Sequence, residues 1–406
     1  MNVVIKKSKG CGTVQAPPSK SMAHRLLIGA GLAKGVSIIH NVDPSQDILA
    51  TIDCLQALGA TVKLDGTTAT VTGANPKIAK NLTLPCRESG STLRFMIPLC
   101  LLSEHPNTLV GSPRLLERPQ TVYEELCKEK GWLFEKNDQA IRVAGPLQGG
   151  HYTLAGNVSS QFITGLLYAM PLTGQDSTIT LTGVVESRSY IDLTLQALNQ
   201  FGIDATWFNS HTLQVKAGQY TPQTLTVEGD YSNAAFLDAL SLLGGDVTVT
   251  GLDPHSLQGD KIYKQDFPAL KEGCPTISLK NCPDLGPVYM AMAAAFHGGV
   301  FTNTARLKIK ESDRGTAMAM ELEKFGVSVT VEDNRITVHS SPLQTPTEPL
   351  CGHNDHRIVM ALSLLCTVTG GEIQGAEAVT KSFPDYFERI QLLGITWKEV
   401  ESHGSE

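Results

Sequence analysis

The sequence predicts an α/β protein in which six repeated helix–strand units form two domains of three units each. Three observations lead to this prediction. The chain of 406 residues is too long for a single hydrophobic core and suits two domains. Glycines that close helix-like runs recur at similar intervals. Residues that open apolar helices recur with about the same period.

The closing glycines define the period of the repeat. Successive members lie 72, 71, 71, 53 and 68 residues apart, and each stands between an apolar helix-like run and a short strand. They are Gly59, Gly131, Gly202, Gly273, Gly326 and Gly394. The positions that open the six units are Lys20, Gly90, Ser160, Asp230, Asp284 and Asp355. One unit of this kind cannot bury its two helices alone, whereas three units together can.

The repeat also places the domain boundary, near residues 227–230, where the fourth unit begins. We assign residues 13–227 to an N-terminal-half domain. Residues 228–406 and residues 1–12 then form a C-terminal-half domain. The first predicted strand, Asn2–Lys7, precedes unit one and by position fits either half; we assign it to the C-terminal half.

Composition and charge narrow the classes of function. The net charge of −7 argues against a nucleic-acid or anionic-membrane partner, because both select a basic face. A small anionic substrate in a local cationic pocket is compatible with this charge. Nine cysteines without a Cys-x-x-Cys motif predict reduced thiols. Since the sequence has no signal-peptide core and no apolar run of about 18 residues, we expect a cytoplasmic protein.

The densest charge pattern lies in a short segment of the fifth unit. Three cations, Arg306, Lys308 and Lys310, alternate with two aliphatic residues. A period of two predicts a strand with the cations on one face and the aliphatic side chains on the other. We therefore expect a row of positive charge that leads into the following turn.

A helix is predicted directly after this strand. Ser312 is the expected N-cap, residues 313–325 form the helix, and Gly326 ends it. Free backbone N–H groups and the helix dipole favour an anion at such a helix start, so the turn is predicted to bind a multiply charged anion. Glu311 lies among the cations and is the candidate acid or base of this site.

Other units open on similar residue types. Small hydroxyls, a glycine or a cation stand at the starts of the helices in units one, two, three and six. If the repeats are pseudo-symmetric, these helix starts point to one cleft between the domains and form an anion site there. The sequence contains no P-loop, no dinucleotide-binding glycine motif and no metal-ligand spacing, so we expect neither a cofactor nor a metal.

Together these segments resemble the 5-enolpyruvylshikimate-3-phosphate synthase (EPSP synthase) family, and motifs that carry the resemblance occur along nearly the whole chain. They are Pro17–Ser21 with His24 and Arg25, Ser89–Arg94, Glu117–Pro119, Ser159–Gln161, Lys310–Arg314, Asn354–Arg357 and Lys381–Tyr386. The resemblance implies two inside-out, barrel-like α/β domains with a cleft between them, and a monomer. It also implies transfer of the enolpyruvyl group of phosphoenolpyruvate to the 5-hydroxyl of shikimate 3-phosphate, a shikimate-pathway reaction that glyphosate inhibits.

The resemblance further implies roles for individual residues. Positions that bind phosphoenolpyruvate are matched by Lys20, Gly90, Arg118, Gln161, Arg314, His356, Arg357 and Lys381. Positions that bind shikimate 3-phosphate are matched by Ser21, Arg25, Ser159, Ser160, Gln161, Ser187, Tyr190, Asp284 and Lys310. Asp284 and Glu311 match the two acid/base carboxylates, and we expect Lys20 and Lys381 to assist the departing phosphate. Three residues, Glu88, Ser91 and Arg306, depart from those usual in the family, so glyphosate sensitivity and the role of Arg306 stay open.

Three other functions fit the sequence less well. The related transferase that acts on UDP-N-acetylglucosamine relies on a loop cysteine, and the corresponding region, Gly111–Pro119, has none here. An RNA-end-processing or RNA-binding relative is disfavoured by the acidic balance and the aromatic content of 6%. A non-catalytic anion-binding module has no need of both Asp284 and Glu311.

Overall fold

In the computed structural model, which describes residues 1–401, helices and short strands alternate along the chain. The helices are α1 (Lys20–Leu32), α2 (Gln46–Ala57), α3 (Gly90–Leu101), α4 (Pro113–Glu117), α5 (Thr121–Lys130), α6 (Ser160–Ala169), α7 (Arg188–Gln200), α8 (Tyr231–Leu242), α9 (Tyr263–Glu272), α10 (Gly286–Ala295), α11 (Arg314–Lys324), α12 (His356–Thr369) and α13 (Tyr386–Leu392).

The strands are short, with two to six residues each. They are β1 (Asn2–Ile5), β2 (Cys11–Gln15), β3 (Val36–His40), β4 (Thr61–Asp65), β5 (Thr68–Thr72), β6 (Thr83–Pro85), β7 (Asn107–Val110), β8 (Leu133–Lys136), β9 (Ala140–Ala144), β10 (Gly150–Ala155), β11 (Ser177–Thr182), β12 (Ala205–Trp207), β13 (Thr212–Val215), β14 (Thr224–Thr226), β15 (Asp246–Thr250), β16 (Thr276–Ser278), β17 (Gly299–Thr302), β18 (Val329–Val331), β19 (Arg335–Val338), β20 (Leu350–Cys351), β21 (Gly371–Gln374) and β22 (Trp397–Val400).

Five sheets repeat one pairing pattern, in which a parallel pair of strands is followed by two antiparallel pairs. Their strand orders are β14-β3-β5-β4, β6-β7-β9-β8, β10-β11-β13-β12, β16-β17-β19-β18 and β20-β21-β1-β22. The sixth sheet has only the parallel pair β15-β2. No hairpin follows α9, whereas one follows α2, α5, α7 and α11. The missing hairpin explains why the interval from Gly273 to Gly326 is shorter than the others.

The chain forms two compact units. The N-unit is Pro18–Glu228, and the C-unit is Met1–Pro17 together with the chain from Gly229 onward. The start of the chain belongs to the C-unit because β1 lies between β21 and β22, and β2 pairs with β15.

Each repeat contributes one buried helix and one half-buried helix. The buried helices are α1, α3 and α6 in the N-unit and α8, α10 and α12 in the C-unit. They are apolar on nearly all sides, as a helix enclosed by its neighbours must be. Gly165 shows how closely they pack: a Cβ there would lie 2.5 Å from the Arg94 carbonyl oxygen on α3. These buried helices begin at or next to the positions that open the sequence repeats, so their first turns carry the motifs.

The strand predicted across Arg306–Lys310 is wrong. Ala305–Ile309 is a 3-10 helix, in which the N–H of Leu307 donates to the Thr304 carbonyl at 3.0 Å. Leu307 is buried against Gly286, whereas Ile309 is 38% exposed, so the two aliphatic side chains do not share one buried face. A period of two in five residues did not distinguish a strand from a short turn anchored by one apolar side chain.

Within residues 1–401, no helix has the length and the hydropathy that a membrane span requires. All nine cysteines are free, and the four that the sequence placed in apolar helices, Cys54, Cys100, Cys127 and Cys366, are buried.

Candidate active site

In the C-unit, three carboxylates converge on one buried guanidinium, that of Arg314, which is 1% exposed. Nη1 donates to Asp284 Oδ1 at 2.9 Å, and Nη2 donates to Glu311 Oε2 at 2.7 Å. Nε donates to Asp355 Oδ2 at 2.9 Å, and Nη2 also lies 3.3 Å from Asp355 Oδ1. Burial opposes the charged form of Arg314, but Asp355, Glu311 and Asp284 outweigh it and raise the pKa. The two candidate acid/base carboxylates therefore share one fixed cation.

Three helix starts bring these groups together. Asp284 lies in a 3-10 turn immediately before α10. Arg314 is the first residue of α11, and Asp355 caps α12 by accepting from the Arg357 N–H at 3.0 Å. Acidic residues at helix N-termini are stabilised by the free N–H groups and the helix dipole. The repeat thus presents these candidate side chains at its helix starts.

The N-cap predicted for α11 is wrong by one residue. Asp313, and not Ser312, caps the helix, with its Oδ1 accepting from the Thr316 N–H at 3.2 Å. The Ser312 hydroxyl instead donates to Asp355 Oδ2 at 2.9 Å. Both residue types are good caps, and the neighbouring Asp355 carboxylate offers Ser312 a charged acceptor.

Two further cations lie near Asp284. Lys310 Nζ is 3.3 Å from Asp284 Oδ1, and burial lowers the pKa of Lys310 although Asp284 opposes this shift. Arg357 Nη2 is 3.8 Å from Asp284 Oδ2. Arg357 is buried, yet its Nε and Nη1 find no hydrogen-bond partner in the described part of the chain. A buried donor without a partner costs about 1–3 kcal/mol, so these N–H groups are suited to an anionic ligand.

The start of α12 also receives a lysine. Lys381 Nζ donates to the carbonyl oxygen of Asn354 at 2.6 Å, and its side chain is buried. Asn354 and the preceding His353 both have positive φ, near 52° and 51°. His356, the first residue of α12, is buried with Nδ1 3.9 Å from Asp355 Oδ1. Four predicted site residues of the C-unit, His356, Arg357, Lys381 and Arg314, are thus at or near two adjacent helix starts.

The other two cations of the charged segment face elsewhere. Lys308 is exposed and pairs with Asp333 at 3.0 Å. Arg306 donates from Nη2 to the carbonyl oxygen of Lys280. The expectation of one continuous row of positive charge is therefore wrong, because the 3-10 helix turns the side chains in different directions.

In the N-unit, Arg25 connects three helices. From α1, its Nε donates to Thr194 Oγ1 on α7 at 3.0 Å, and its Nη2 donates to the Tyr190 carbonyl at 3.1 Å. Its Nη1 donates to the Ser21 carbonyl at 2.7 Å, and Nη2 lies 3.5 Å from Thr164 Oγ1 on α6. Every one of these acceptors is neutral. Burial lowers the pKa of Arg25, and Tyr168 and Tyr190 only partly oppose this shift.

The starts of α3 and α6 meet through a second buried arginine. Arg94 Nη1 donates to Gln161 Oε1 at 2.9 Å, and Gln161 Nε2 donates to Ser91 Oγ at 2.9 Å. Burial and the nearby charge of Arg118 lower the pKa of Arg94 to about 10. A Cβ at Gly90 would lie 2.3 Å from Arg118 Nη1, so the glycine lets this guanidinium approach the helix start. Arg118 and Arg94 each keep a buried Nε without a partner among residues 1–401.

The remaining predicted residues of the N-unit also lie at helix starts. Lys20 opens α1, and its Nζ pairs with Asp47 at 2.7 Å. Ser159 caps α6 and Ser160 is its first residue. Ser187 precedes α7 with a φ of 52°, and Tyr190 lies in the first turn of that helix. These residues form polar helix starts rather than a solvated face, because most of them are buried or half-buried.

The sequence analysis assigned no role to two further carboxylates that pair with predicted site cations. Asp47 on α2 binds Lys20, and Asp355 binds Arg314. Both acids lie at helix starts, which was the available signal, but only folding shows which cation each one meets. Within residues 1–401, no cluster of three His, Cys, Asp or Glu side chains has an arrangement that holds a metal ion.

The chain as a whole resembles known proteins in sequence and in fold. The family model of EPSP synthase (3-phosphoshikimate 1-carboxyvinyltransferase) matches residues 5–390. The chain is 38% identical over 419 residues to the 3-phosphoshikimate 1-carboxyvinyltransferase of Clostridium kluyveri, with 97% of each chain covered. The chain is 36% identical over 425 residues to the 3-phosphoshikimate 1-carboxyvinyltransferase of Clostridium perfringens, with 98% of this chain and 99% of the relative covered. A solved EPSP synthase from Acinetobacter baumannii shares the fold, with a TM-score of 0.77, 20% identity and coverage of 99% and 100%.

Proposed function

The chain belongs to the EPSP synthase family, and from that premise we propose which of its residues carry out the reaction. The protein is a 3-phosphoshikimate 1-carboxyvinyltransferase: it transfers the enolpyruvyl group of phosphoenolpyruvate to shikimate 3-phosphate and releases phosphate. The roles of individual side chains in that reaction are the proposal. The observation that carries it is the pair of carboxylates, Asp284 and Glu311, on the single buried guanidinium of Arg314.

The chemistry needs two proton transfers. In the addition step, the 5-hydroxyl oxygen bonds to C2 of phosphoenolpyruvate and loses its proton, while the methylene carbon gains a proton and becomes a methyl group. In the elimination step, the bond from C2 to the phosphate oxygen breaks, and the methyl group returns one proton. Two carboxylates in opposite protonation states meet this need.

Asp284 is the proposed base for the hydroxyl, and Glu311 is the proposed acid and base at carbon. Lys310 and Arg314 contact Asp284 at 3.3 and 2.9 Å, and these cations favour its ionised form. Glu311 contacts the same guanidinium through Nη2, so a proton gained or lost at Glu311 does not displace Asp284 from its own nitrogen. The distribution of the contacts over two nitrogens supports separate roles.

The substrates are proposed to bind through the cations and helix starts. For shikimate 3-phosphate the residues are Ser21, Arg25, Ser159, Ser160, Gln161, Ser187, Tyr190, Asp284 and Lys310. For phosphoenolpyruvate they are Lys20, Gly90, Arg118, Gln161, Arg314, His356, Arg357 and Lys381. Arg118 and Arg357 support this assignment, because each has buried N–H groups without a partner among residues 1–401 and an anionic oxygen would satisfy them. Lys20 and Lys381 are proposed to stabilise the phosphate as it leaves.

We also propose that the enzyme is a cytoplasmic monomer. The nine free cysteines support a reducing compartment, and Cys54 and Cys86 support it most directly, since their sulfur atoms lie 3.8 Å apart without a bond. Size-exclusion chromatography with light scattering tests the monomer, for which we expect a mass near 43.6 kDa.

An acceptor-exchange assay tests the proposed substrate pair. Phosphate release from phosphoenolpyruvate should require shikimate 3-phosphate and should not occur with UDP-N-acetylglucosamine in its place. Release with the sugar nucleotide would favour the related transferase, although region Gly111–Pro119 has no cysteine. The Asp284→Asn and Glu311→Gln variants should both fail under the same conditions, whereas full activity in either one would remove that residue from the mechanism.

A further inference from the structure

One buried carboxyl group of the C-unit has no role in the mechanism proposed so far. Asp260 lies in a 3-10 helix, Gly259–Ile262, and is 3% exposed. Its Oδ2 accepts a hydrogen bond from the Ser232 hydroxyl, whereas its Oδ1 is buried without a hydrogen-bond partner in the described residues. Since a buried carboxylate normally accepts several hydrogen bonds, this environment favours the protonated acid.

The backbone around Asp260 is fixed by other residues. Gln258 Nε2 donates to the Gly229 carbonyl at 2.8 Å, and Gln258 Oε1 accepts from the Tyr231 N–H at 2.9 Å. Ser232 is held in turn, because its N–H donates to Asp230 Oδ1 at 3.0 Å. The carboxyl of Asp260 is therefore positioned by the start of α8 and does not itself have to hold the segment in place.

Charged groups from three neighbouring elements act on Asp260. Burial and Asp284, in the turn before α10, raise its pKa to about 7, and Asp230 from α8 acts in the same direction. The Ser232 hydroxyl and Arg357 from α12 oppose this rise. Asp260 acts on other buried groups as well: after burial it is the next cause of the raised pKa of the Cys282 thiol, and it makes the smallest of the contributions to the raised pKa of the Tyr289 hydroxyl.

We propose that Asp260 is a positioning residue for Asp284, one that places a negative charge beside this base only when it ionises. The inference rests on the proposed role of Asp284. In the protonated state Asp260 is neutral and leaves Asp284 as a weaker base. When Asp260 releases its proton to solvent, repulsion between the two carboxylates increases the affinity of Asp284 for the hydroxyl proton. Through this repulsion the base strength of Asp284 increases with pH, although Asp260 does not contact the substrate.

The pH dependence of kcat for Asp260→Asn tests this inference. Asparagine keeps the size of the side chain and an acceptor for Ser232 but never ionises. We expect the variant to match the wild type within about twofold at pH 6, where Asp260 is protonated, and to fall about tenfold short at pH 8.5. Titration of the substrate phosphates affects both proteins equally and cancels in the ratio. A ratio that is the same at both pH values would indicate a purely structural role and would overturn the proposal.

Two matched variants sharpen this test. Ser232→Ala removes the hydrogen bond that opposes the raised pKa of Asp260, so the pH-dependent step should move to higher pH. Asp266→Asn removes another carboxyl with a raised pKa, one that accepts from the Tyr289 hydroxyl, and serves as the control. Its ratio to the wild type should not vary with pH. A step that stays in place in Ser232→Ala would count against the proposal.

Thermal unfolding gives a readout that does not depend on activity. Because the pKa of Asp260 is raised by folding, the wild type loses stability relative to Asp260→Asn as pH rises from about 4 to about 7. The melting temperature of the variant should therefore rise relative to the wild type across this window. A constant difference would show that Asp260 does not titrate there and would overturn the inference. Failure of the proposed function is recognised separately, as full activity in Asp284→Asn.

Discussion

The buried arginines of the two units differ in the groups that surround them and in the direction of their pKa shifts. In the N-unit, Arg25 and Arg94 donate to hydroxyl, carbonyl and amide oxygens, and burial lowers the pKa of both. In the C-unit, burial also disfavours the charge of Arg314 and Arg357, but neighbouring carboxylates outweigh it and raise the pKa of both. Two units built from the same repeat thus differ in charge balance at their helix starts.

This difference indicates a division of labour. A buried cation with neutral partners keeps an unbalanced charge, and an incoming phosphate or carboxylate balances it. A cation that already contacts several carboxylates has little unbalanced charge available for an incoming anion. It instead fixes the positions of these carboxylates and influences their protonation. We infer that the N-unit arginines chiefly bind anions and that the Arg314 cluster chiefly moves protons.

The largest effect should come from the proton-moving cluster. Glu311→Gln keeps the shape of the side chain and an acceptor for Arg314 but cannot transfer a proton between carbon and carboxylate. Turnover should fall by roughly 10²–10⁴-fold, measured as phosphate release, while calorimetric binding of shikimate 3-phosphate stays within about twofold. Glu323→Gln, an exposed change on α11, the helix that Arg314 opens, is the control. Weakened binding with intact turnover would reverse the assignment of Glu311.

The next largest effect should come from the anion-binding side of the comparison. Arg25→Gln removes a charge that has only neutral partners, so binding of shikimate 3-phosphate should weaken by about 10- to 100-fold, equivalent to the roughly 1.5–3 kcal/mol of a charged hydrogen bond. Turnover at saturating substrate should change much less. Arg142→Gln, an exposed cation paired with Glu135 at 3.2 Å, should change neither quantity. Loss of turnover at saturation with unchanged binding would break the proposed division.

A smaller and mixed effect is expected at Lys310. Its Nζ contacts Asp284, so Lys310→Met should weaken ligand binding and also slow turnover, each by about tenfold. Lys308→Met is the matched control, because the sequence placed the two lysines on one face of a strand, whereas Lys308 forms an exposed pair with Asp333. Exposed pairs contribute little, and this control should stay within about twofold of the wild type in both measurements. Equal losses of binding and turnover in the two variants would instead support the continuous row of positive charge that the sequence predicts.

Much of the fold was predictable because the repeat leaves a periodic trace. Helices commonly end at a residue with left-handed backbone, which glycine adopts most easily. Positive φ is found at five of the closing glycines: Gly59, Gly131, Gly202, Gly326 and Gly394. Gly273 has extended backbone instead, and it marks the unit that lacks a hairpin. The short segment at Ala305–Ile309 was not predictable, because five residues give too few periods to separate a strand from a 3-10 turn.

The candidate site was predictable in its residue types but not in its pairings. Helix starts with hydroxyls and cations were visible in the sequence, and the motifs placed Asp284, Glu311 and Arg314 in it. The partner that completes the cluster, Asp355, is 41 residues from Arg314. No sequence pattern singled out Asp260, because a single acid followed by a lysine is typical of a solvated turn. Two structural features distinguish it: the side chain is buried, and its Oδ1 has no hydrogen-bond partner in the described residues. Contacts between distant segments depend on packing, which a local pattern does not encode.

Deuterium uptake into the methylene group of phosphoenolpyruvate tests the division of labour most directly. During turnover in D₂O, the methyl group formed by addition loses one of its three hydrogens, so phosphoenolpyruvate that returns from the intermediate carries deuterium. The wild type and Arg25→Gln, both at saturating shikimate 3-phosphate, should incorporate deuterium at similar rates. Glu311→Gln should incorporate almost none, although it binds the same substrate. Uptake at the wild-type rate in Glu311→Gln, or its loss in Arg25→Gln at saturation, would contradict the account.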